Sequence, residues 1–229
     1  MRHPSLPIGS QGARFAVNTI YCVGQNYRRH ARELGFAESA PPVFFMKDVH
    51  GLVTDGASIA YPPSTARLHY EVEWVVALGA GGMHMSVQQA ASCIAGFAVG
   101  IDLTRRDLQD EARKKGMPWD MAKNFAGCCP CSALIDKEAL RGSENEQDIA
   151  LTVDGQLRQR ASVGQRVWDS CQIISALSAL VPLQAGTLIY TGTPEGVGAV
   201  EVGSTLRAFC PSHESADKAL DVTVRVVAP

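Results

Sequence analysis

The sequence has no hydrophobic run long enough to cross a bilayer. Its longest mostly apolar stretch, Cys93 to Leu103, falls short of the ~20 residues a spanning helix needs and carries Asp102. An excess of one charge is also missing. Lysine and arginine number 21 against 23 aspartates and glutamates, a formal net charge of −2, so nothing marks a nucleic acid or an anionic membrane as partner. No apolar core follows Met1-Arg2-His3-Pro4, so no secretory signal is visible and a cytoplasmic location is expected. Cys-x-x-Cys spacing is absent as well. The seven cysteines are an odd number, and the Cys128-Cys129-Pro130-Cys131 cluster has no matching second half. That argues against a zinc site and for reduced, mostly buried thiols. Internal repeats, long linkers and heptads are lacking too, which leaves one ordinary globular domain.

What is present fits that class: 229 residues, 46% hydrophobic and 19% charged, enough to bury a substantial core. Residues 1–17 read as a loose arm rich in Pro, Gly and Ser, and residues 18–229 as a single domain. Short strands are expected at Thr19–Val23, Val43–Lys47, Ser58–Tyr61, Tyr70–Leu78 and Ile94–Leu103, and again through the C-terminal third. Asp154-Gly155 between two strand-like runs is the strongest hairpin signal. A short helical piece, Arg28–Leu34, stops at Gly35, and Ser86 with Gln89 forms a capping box. Thr104 is the expected N-cap of a helix ending at Gly116, and Asp169 or Ser170 of one ending before Pro182. Many short strands, four short helices and no βαβ alternation predict an α+β fold dominated by mixed or antiparallel sheet.

The chemistry centres on Tyr70-Glu71-Val72-Glu73-Trp74-Val75-Val76. On a strand, residues i and i+2 share a face, so Glu71 and Glu73 stand side by side, roughly 7 Å apart. The plain reading is a solvated face. A half-buried pair instead needs a proton, a cation or a metal. Asp102, ending a second apolar run, adds a third carboxylate. Oxygen-only ligation suits Mg²⁺ or Mn²⁺ better than Ca²⁺, and zinc least. His69, two residues before Glu71, is a candidate supporting group for such a site. His30 and Glu33, at i and i+3, could act as a general base and its orienting carboxylate. Lys47, Arg106 and Lys123 could hold a substrate carboxylate or a developing oxyanion. The loop Gly192-Thr193-Pro194-Glu195-Gly196-Val197-Gly198 could present backbone N–H groups to an anion. It fails as a dinucleotide fingerprint, because the spacing is wrong and no helix is expected after it.

Five ordered motifs bind these pieces together. They are Tyr21-Cys-Val-Gly24-x-Asn26-Tyr27-x-x-His30-x-x-Glu33, Leu68-His-Tyr-Glu71-x-Glu73, Asp102-Leu-Thr-x-Arg106-Asp107-x-Gln109, Pro118-Trp119-x-x-Ala122-Lys123-x-Phe125 and Thr191-Gly-Thr-Pro-x-Gly-Val-Gly198. In this combination the chain resembles the fumarylacetoacetate hydrolase family, most narrowly its short acylpyruvate and fumarylpyruvate hydrolases, from about residue 18 to 229. The resemblance implies a mixed-sheet β-roll, a homodimer, and Mg²⁺ or Mn²⁺ on Glu71, Glu73 and Asp102. It implies hydrolysis of a C–C bond in a 2,4-diketo acid, with oxaloacetate decarboxylation or keto–enol tautomerisation as the alternative at the same metal. His30 and Glu33 would then activate water and Lys123 would steady the oxyanion. Arg106, Gln109 and Thr193 match substrate-contact positions, and Lys47 is a further candidate. Val23 stands where longer relatives carry another carboxylate, which implies three protein ligands.

Overall fold

A computed structural model describes residues 3–9, 13–27, 41–213 and 220–229. The predicted Arg28–Leu34 helix, with His30 and Glu33, lies outside the described residues. Strands are numbered in chain order. A six-stranded sheet runs in the order β12 (Ile135–Asp136), β9 (Ile94–Ile101), β8 (Val72–Leu78), β15 (Thr187–Tyr190), β3 (Thr19–Gly24) and β4 (Val43–Lys47). All its pairings are antiparallel except β15 with β3. A five-stranded sheet has the order β14 (Gln156–Ser162), β13 (Asp148–Val153), β17 (Thr205–Phe209), β18 (Asp221–Val227) and β6 (Ser58–Ala60). Three small sheets complete the set: β10 (Thr104–Arg105), β7 (Leu68–Tyr70) and β16 (Gly198–Val200); β11 (Cys129–Pro130) with β5 (Leu52–Val53); and β1 (Ser5–Ile8) with β2 (Ala13–Ala16). The mixed, sheet-dominated α+β architecture is as expected.

Both faces of the six-stranded sheet are covered. Along β8, Val72, Trp74, Val76 and Leu78 enter one core, while Val75 and Ala77 enter a second on the opposite face. The first core also takes Ile149, Leu151, Leu206, Val222 and Val224 from one face of the five-stranded sheet. Helices α1 (Val87–Cys93) and α4 (Ser170–Ser178) close its edge with Ala90, Cys93, Ile173, Ile174 and Leu177. Each begins with a capping box, Ser86 with Gln89 and Asp169 with Gln172, in which the paired side chains satisfy N–H groups the helix itself cannot.

Three expectations are corrected. The N-terminal arm is not loose: β1 and β2 form a hairpin, and Leu6 and Val17 are fully buried in the second core. Pro7 is compatible with this two-stranded edge pairing, and its carbonyl accepts from Leu134 N at 2.8 Å. The strand expected over Tyr70–Leu78 breaks at Glu71, and every residue of β8 is buried, so there is no half-solvated face. Thr104 lies in β10 and does not cap helix α2 (Arg106–Lys115), which starts one residue later than expected and without a side-chain cap. Its stop is as expected: Gly116, at φ +63°, donates its N–H to Ala112 and Arg113 carbonyls. Asp154 and Gly155, both at positive φ, make the predicted β13–β14 turn.

Candidate active site and metal centre

The carboxylates converge because β8 and β9 pair antiparallel with Glu73 opposite Gly100, and Asp102 N then donates to the Glu71 carbonyl at 2.8 Å. Gly100 leaves room for the Tyr190 ring, which a Cβ would meet at 2.5 Å. Glu71, Glu73 and Asp102 are all buried, and one oxygen from each lies within 4.8 Å of the others. Among the described residues, this is the one such group of three or more potential ligands.

Two cations flank the cluster on its cavity side, and a third, Lys47, lies behind Asp102. Lys123, at the end of the one-turn helix α3 (Asp120–Lys123), donates to Glu71 Oε2 at 2.9 Å, Asp102 Oδ2 at 2.7 Å and Thr104 Oγ1 at 2.7 Å. Burial opposes its charge, but Asp102 and Glu71 outweigh that and raise its pKa. Arg106, in the first turn of α2, pairs with Glu71 Oε1 and donates to Gln109 Oε1 at 2.5 Å, the i+3 neighbour on its helix face. Its Nε is buried without a hydrogen-bond partner.

Glu73 is held differently. Its Oε2 accepts the backbone N–H of Gly192 at 2.7 Å. Burial, reinforced by Asp102 and Glu71, pushes its pKa well above the usual carboxylate range, more than the Gly192 bond and Lys123 bring it down. Of the three carboxylates, Glu73 alone makes no ion pair among the described residues. A buried, all-oxygen donor set fits a hard divalent cation. Glu71, Glu73 and Asp102 would hold it.

A small cavity opens over the three carboxylates, with Arg106, Gln109, Lys123 and Thr193 on its walls. Its apolar side is formed by Val23, Phe45 and Trp119, and the two rings meet edge to face at 6.0 Å. Gln25 and Arg113 also line it, and Gln25 adopts φ +64°, rare for a side chain of its length. The expected Arg106, Gln109, Lys123 and Thr193 are thus brought together with the carboxylates.

Lys47 is not among them. Its ammonium is enclosed behind Asp102, bonded to Asp102 Oδ1 at 2.8 Å and to the carbonyls of Leu103, Lys123 and Cys128 at 2.7–3.0 Å. The expected substrate contact is corrected to a structural strut, since every proton of that amine is used inside the protein. His69 also stays off the cavity wall. Burial and then Arg106 lower its pKa to about 4, so the ring is neutral, and its Nδ1 has no hydrogen-bond partner. Cys128, Cys129 and Cys131 are free and fully buried in the second core, as expected of structural thiols.

The loop after β15 is gripped by two buried amides whose roles the sequence did not announce. Asn26 donates to the carbonyls of Thr191 at 2.8 Å and Trp168 at 2.9 Å, and accepts from Trp168 N at 2.8 Å. Gln159 bonds Val72 N, Thr193 Oγ1 and the Pro194 carbonyl, each at 2.9 Å. Gly192, at φ +97°, passes Asn26 so closely that a Cβ would sit 2.8 Å from the Asn26 Cβ. Asn26 stood inside a recognised motif without a role. Gln159 was visible only as a polar residue within a hairpin strand.

Residues 19–223 match the family model described as fumarylacetoacetate (FAA) hydrolase C-terminal. The chain belongs to this family. A fumarylpyruvate hydrolase from a Ralstonia species is 46% identical over 164 residues, 71% of this chain and 84% of that one. The mitochondrial oxaloacetate tautomerase of Bos taurus is 38% identical over 189 residues, 82% of this chain and 85% of that one. Among solved structures, fumarylpyruvate hydrolase from Pseudomonas aeruginosa, in complex with Mn²⁺ and pyruvate, aligns with a TM-score of 0.91 at 38% identity. The alignment covers 100% of this chain and 98% of that one. The family therefore includes members named for hydrolysis and for tautomerisation.

Proposed function

We propose that this protein is a divalent-metal-dependent hydrolase of acylpyruvates, cleaving a 2,4-diketo acid and water into pyruvate and a carboxylic acid. Fumarylpyruvate is the first substrate to test. The observation that carries the reading is the buried Glu71/Glu73/Asp102 cluster at the floor of a cavity walled by Arg106, Gln109 and Thr193. It is supported by the fumarylpyruvate hydrolases among the relatives. We assign Mg²⁺ as the resident ion, with Mn²⁺ able to replace it. A divalent cation on these carboxylates supplies Lewis acidity at a ketone oxygen and stabilises developing enolate charge.

The chain's own residues do the rest. Arg106 and the Thr193 hydroxyl receive the substrate carboxylate, and the Arg106–Gln109 bond fixes the guanidinium plane. Lys123 shares its three protons with Glu71, Asp102 and Thr104, so it acts on the oxyanion as a fixed positive charge nearby. Phe45 and Trp119 shield the cavity's apolar side, which strengthens every charge interaction inside it. His30, oriented by Glu33, is assigned the proton of the attacking water on the resemblance of its motif. Residues 18–229 act as one catalytic domain, in a homodimer, in the cytoplasm. Purified protein with Mg²⁺ or Mn²⁺ should release pyruvate from fumarylpyruvate and, more slowly, from acetylpyruvate; pyruvate from neither sinks the hydrolase reading.

A second reading is oxaloacetate tautomerisation or decarboxylation, supported by the tautomerase at 38% identity. The same carboxylates and cations favour an enolate without activated water. It predicts that His30→Ala abolishes diketo-acid hydrolysis while oxaloacetate turnover persists. Oxaloacetate untouched by the unmodified enzyme removes it.

A further inference from the structure

Gln159 is 1% exposed and belongs to β14, outside the cavity lining. Its position depends on a bulge: Leu151 faces Gln159 but Thr152 faces Leu157, so Arg158 is the extra residue. A bulge re-aims the side chains beside it. Gly196 then passes so close that a Cβ would meet the Arg158 carbonyl at 2.4 Å. Strand and loop are thereby brought into register, and the Gln159 amide reaches Val72, between the two ligand glutamates, and Thr193, on the cavity wall.

The polarity of each bond follows from its partners. Val72 N–H can only donate, so the Gln159 atom facing it is Oε1. The Pro194 carbonyl can only accept, so the atom facing it is Nε2, with the Glu195 carbonyl at 3.4 Å on the same side. Two partners of fixed polarity settle the amide's orientation without reference to Thr193. Nε2 therefore donates to Thr193 Oγ1 as well, at 2.9 Å. A hydroxyl that accepts there keeps its own proton for another partner, and among the described residues none takes it. Thr193 is 5% exposed and faces the cavity.

We infer that Gln159 is a positioning residue that turns the Thr193 hydroxyl into an obligate hydrogen-bond donor to a ligand oxygen. Together with Arg106, it makes that wall of the cavity all-donor, matched to a carboxylate or ketone rather than to a group carrying its own protons. The identity of the ligand as a keto acid rests on the function proposed above; the direction of the Thr193 proton does not.

Two experiments decide it. The first compares Thr193→Val in the wild-type and Gln159→Met backgrounds, reading KM for fumarylpyruvate and Kd for pyruvate with Mn²⁺ present. Removing Thr193's donor should weaken both roughly tenfold in the wild-type background, with Thr193→Ser restoring them. In the Gln159→Met background the same change should cost less than about twofold, because the hydroxyl is no longer aimed. An equal factor in both backgrounds means Gln159 serves packing alone and overturns the inference. The second needs no variant: neutron diffraction from wild-type crystals exchanged into D₂O. Deuterium on Thr193 Oγ should point into the cavity and a Gln159 Nε2 deuterium toward Thr193. Deuterium on Thr193 pointing at Gln159 overturns the inference. If the wild type neither cleaves fumarylpyruvate nor binds pyruvate, the proposed function falls, while the deuterium map still decides this point.

Discussion

The two large sheets use similar strand residues but live in different surroundings. In the five-stranded sheet, burial alternates: along β18 the valines at 222, 224 and 226 point inward, while Thr223 and Arg225 do not. Charge on its outer side, such as the exposed Arg160–Asp148 pair, is ordinary surface. The six-stranded sheet has cores on both faces, so its central strands lose the alternation altogether. A carboxylate there has no solvent to retreat to. Glu73 and Asp102, 1% and 0% exposed, persist because cations and N–H groups are placed around them. The same residue type lies on open surface in one sheet and is enclosed by charged and N–H partners in the other.

The largest expected effect follows directly. Glu73→Gln should reduce Mn²⁺ or Mg²⁺ affinity by more than ~100-fold and abolish turnover together, read by calorimetry and a pyruvate assay. Retention of both would erase the distinction between the sheets. Next is Trp74, fully buried in β8, stacked on Phe97 at 5.4 Å and bonded through Nε1 to Glu144. Trp74→Ala should cost about 3–5 kcal/mol in urea denaturation.

A smaller effect concerns pH. Asp107, in the first turn of α2, accepts from Thr65 Oγ1, Ala66 N and Leu108 N. Slight burial pushes its pKa up, but these bonds outweigh it and hold the carboxyl below its ordinary range. A depressed folded-state pKa means the carboxylate stabilises above the ordinary value and loses that contribution as pH falls through the folded one. Asp107→Asn should therefore lower stability at pH 7 and leave a flatter acid limb in thermal melts than the wild type. Smallest of all, Arg160→Ala on the outer face of β14 should change stability by no more than about 0.5 kcal/mol. A multi-kcal loss there would show that the outer face is not the ordinary surface it resembles.

Legibility in the sequence divides along the same line. Glu71, Glu73 and Asp102 stood out because carboxylates among β-branched and aromatic residues conflict with burial, and a conflict of that kind is visible locally. Caps and turns were equally local: Ser86 with Gln89, Asp169 with Gln172, and Asp154-Gly155 each carry their partners within a few residues. The N-terminal hairpin was hidden because Pro, Gly and Ser suggest a loop, whereas the burial of Leu6 and Val17 is decided by strands far along the chain. Lys47 could not be distinguished from a substrate contact, since its three carbonyl partners come from residues 56–81 positions away. Gln159 meets its partners 34 and 87 positions away. No local pattern encodes such distances.

The grip of Asn26 on Thr191 joins residues 165 positions apart, beside the parallel pairing of β3 with β15. During synthesis at about 5–20 residues per second, Asn26 is made roughly ten to thirty seconds before its partner exists. Until then Gly192 is unavailable to Glu73, and the central sheet lacks β15, the strand between β8 and β3. A nascent chain thus carries the acidic residues without their setting. The acidic residues gain their full setting only once the far end of the polypeptide is made, and a chain that stops short of Thr191 should show no turnover.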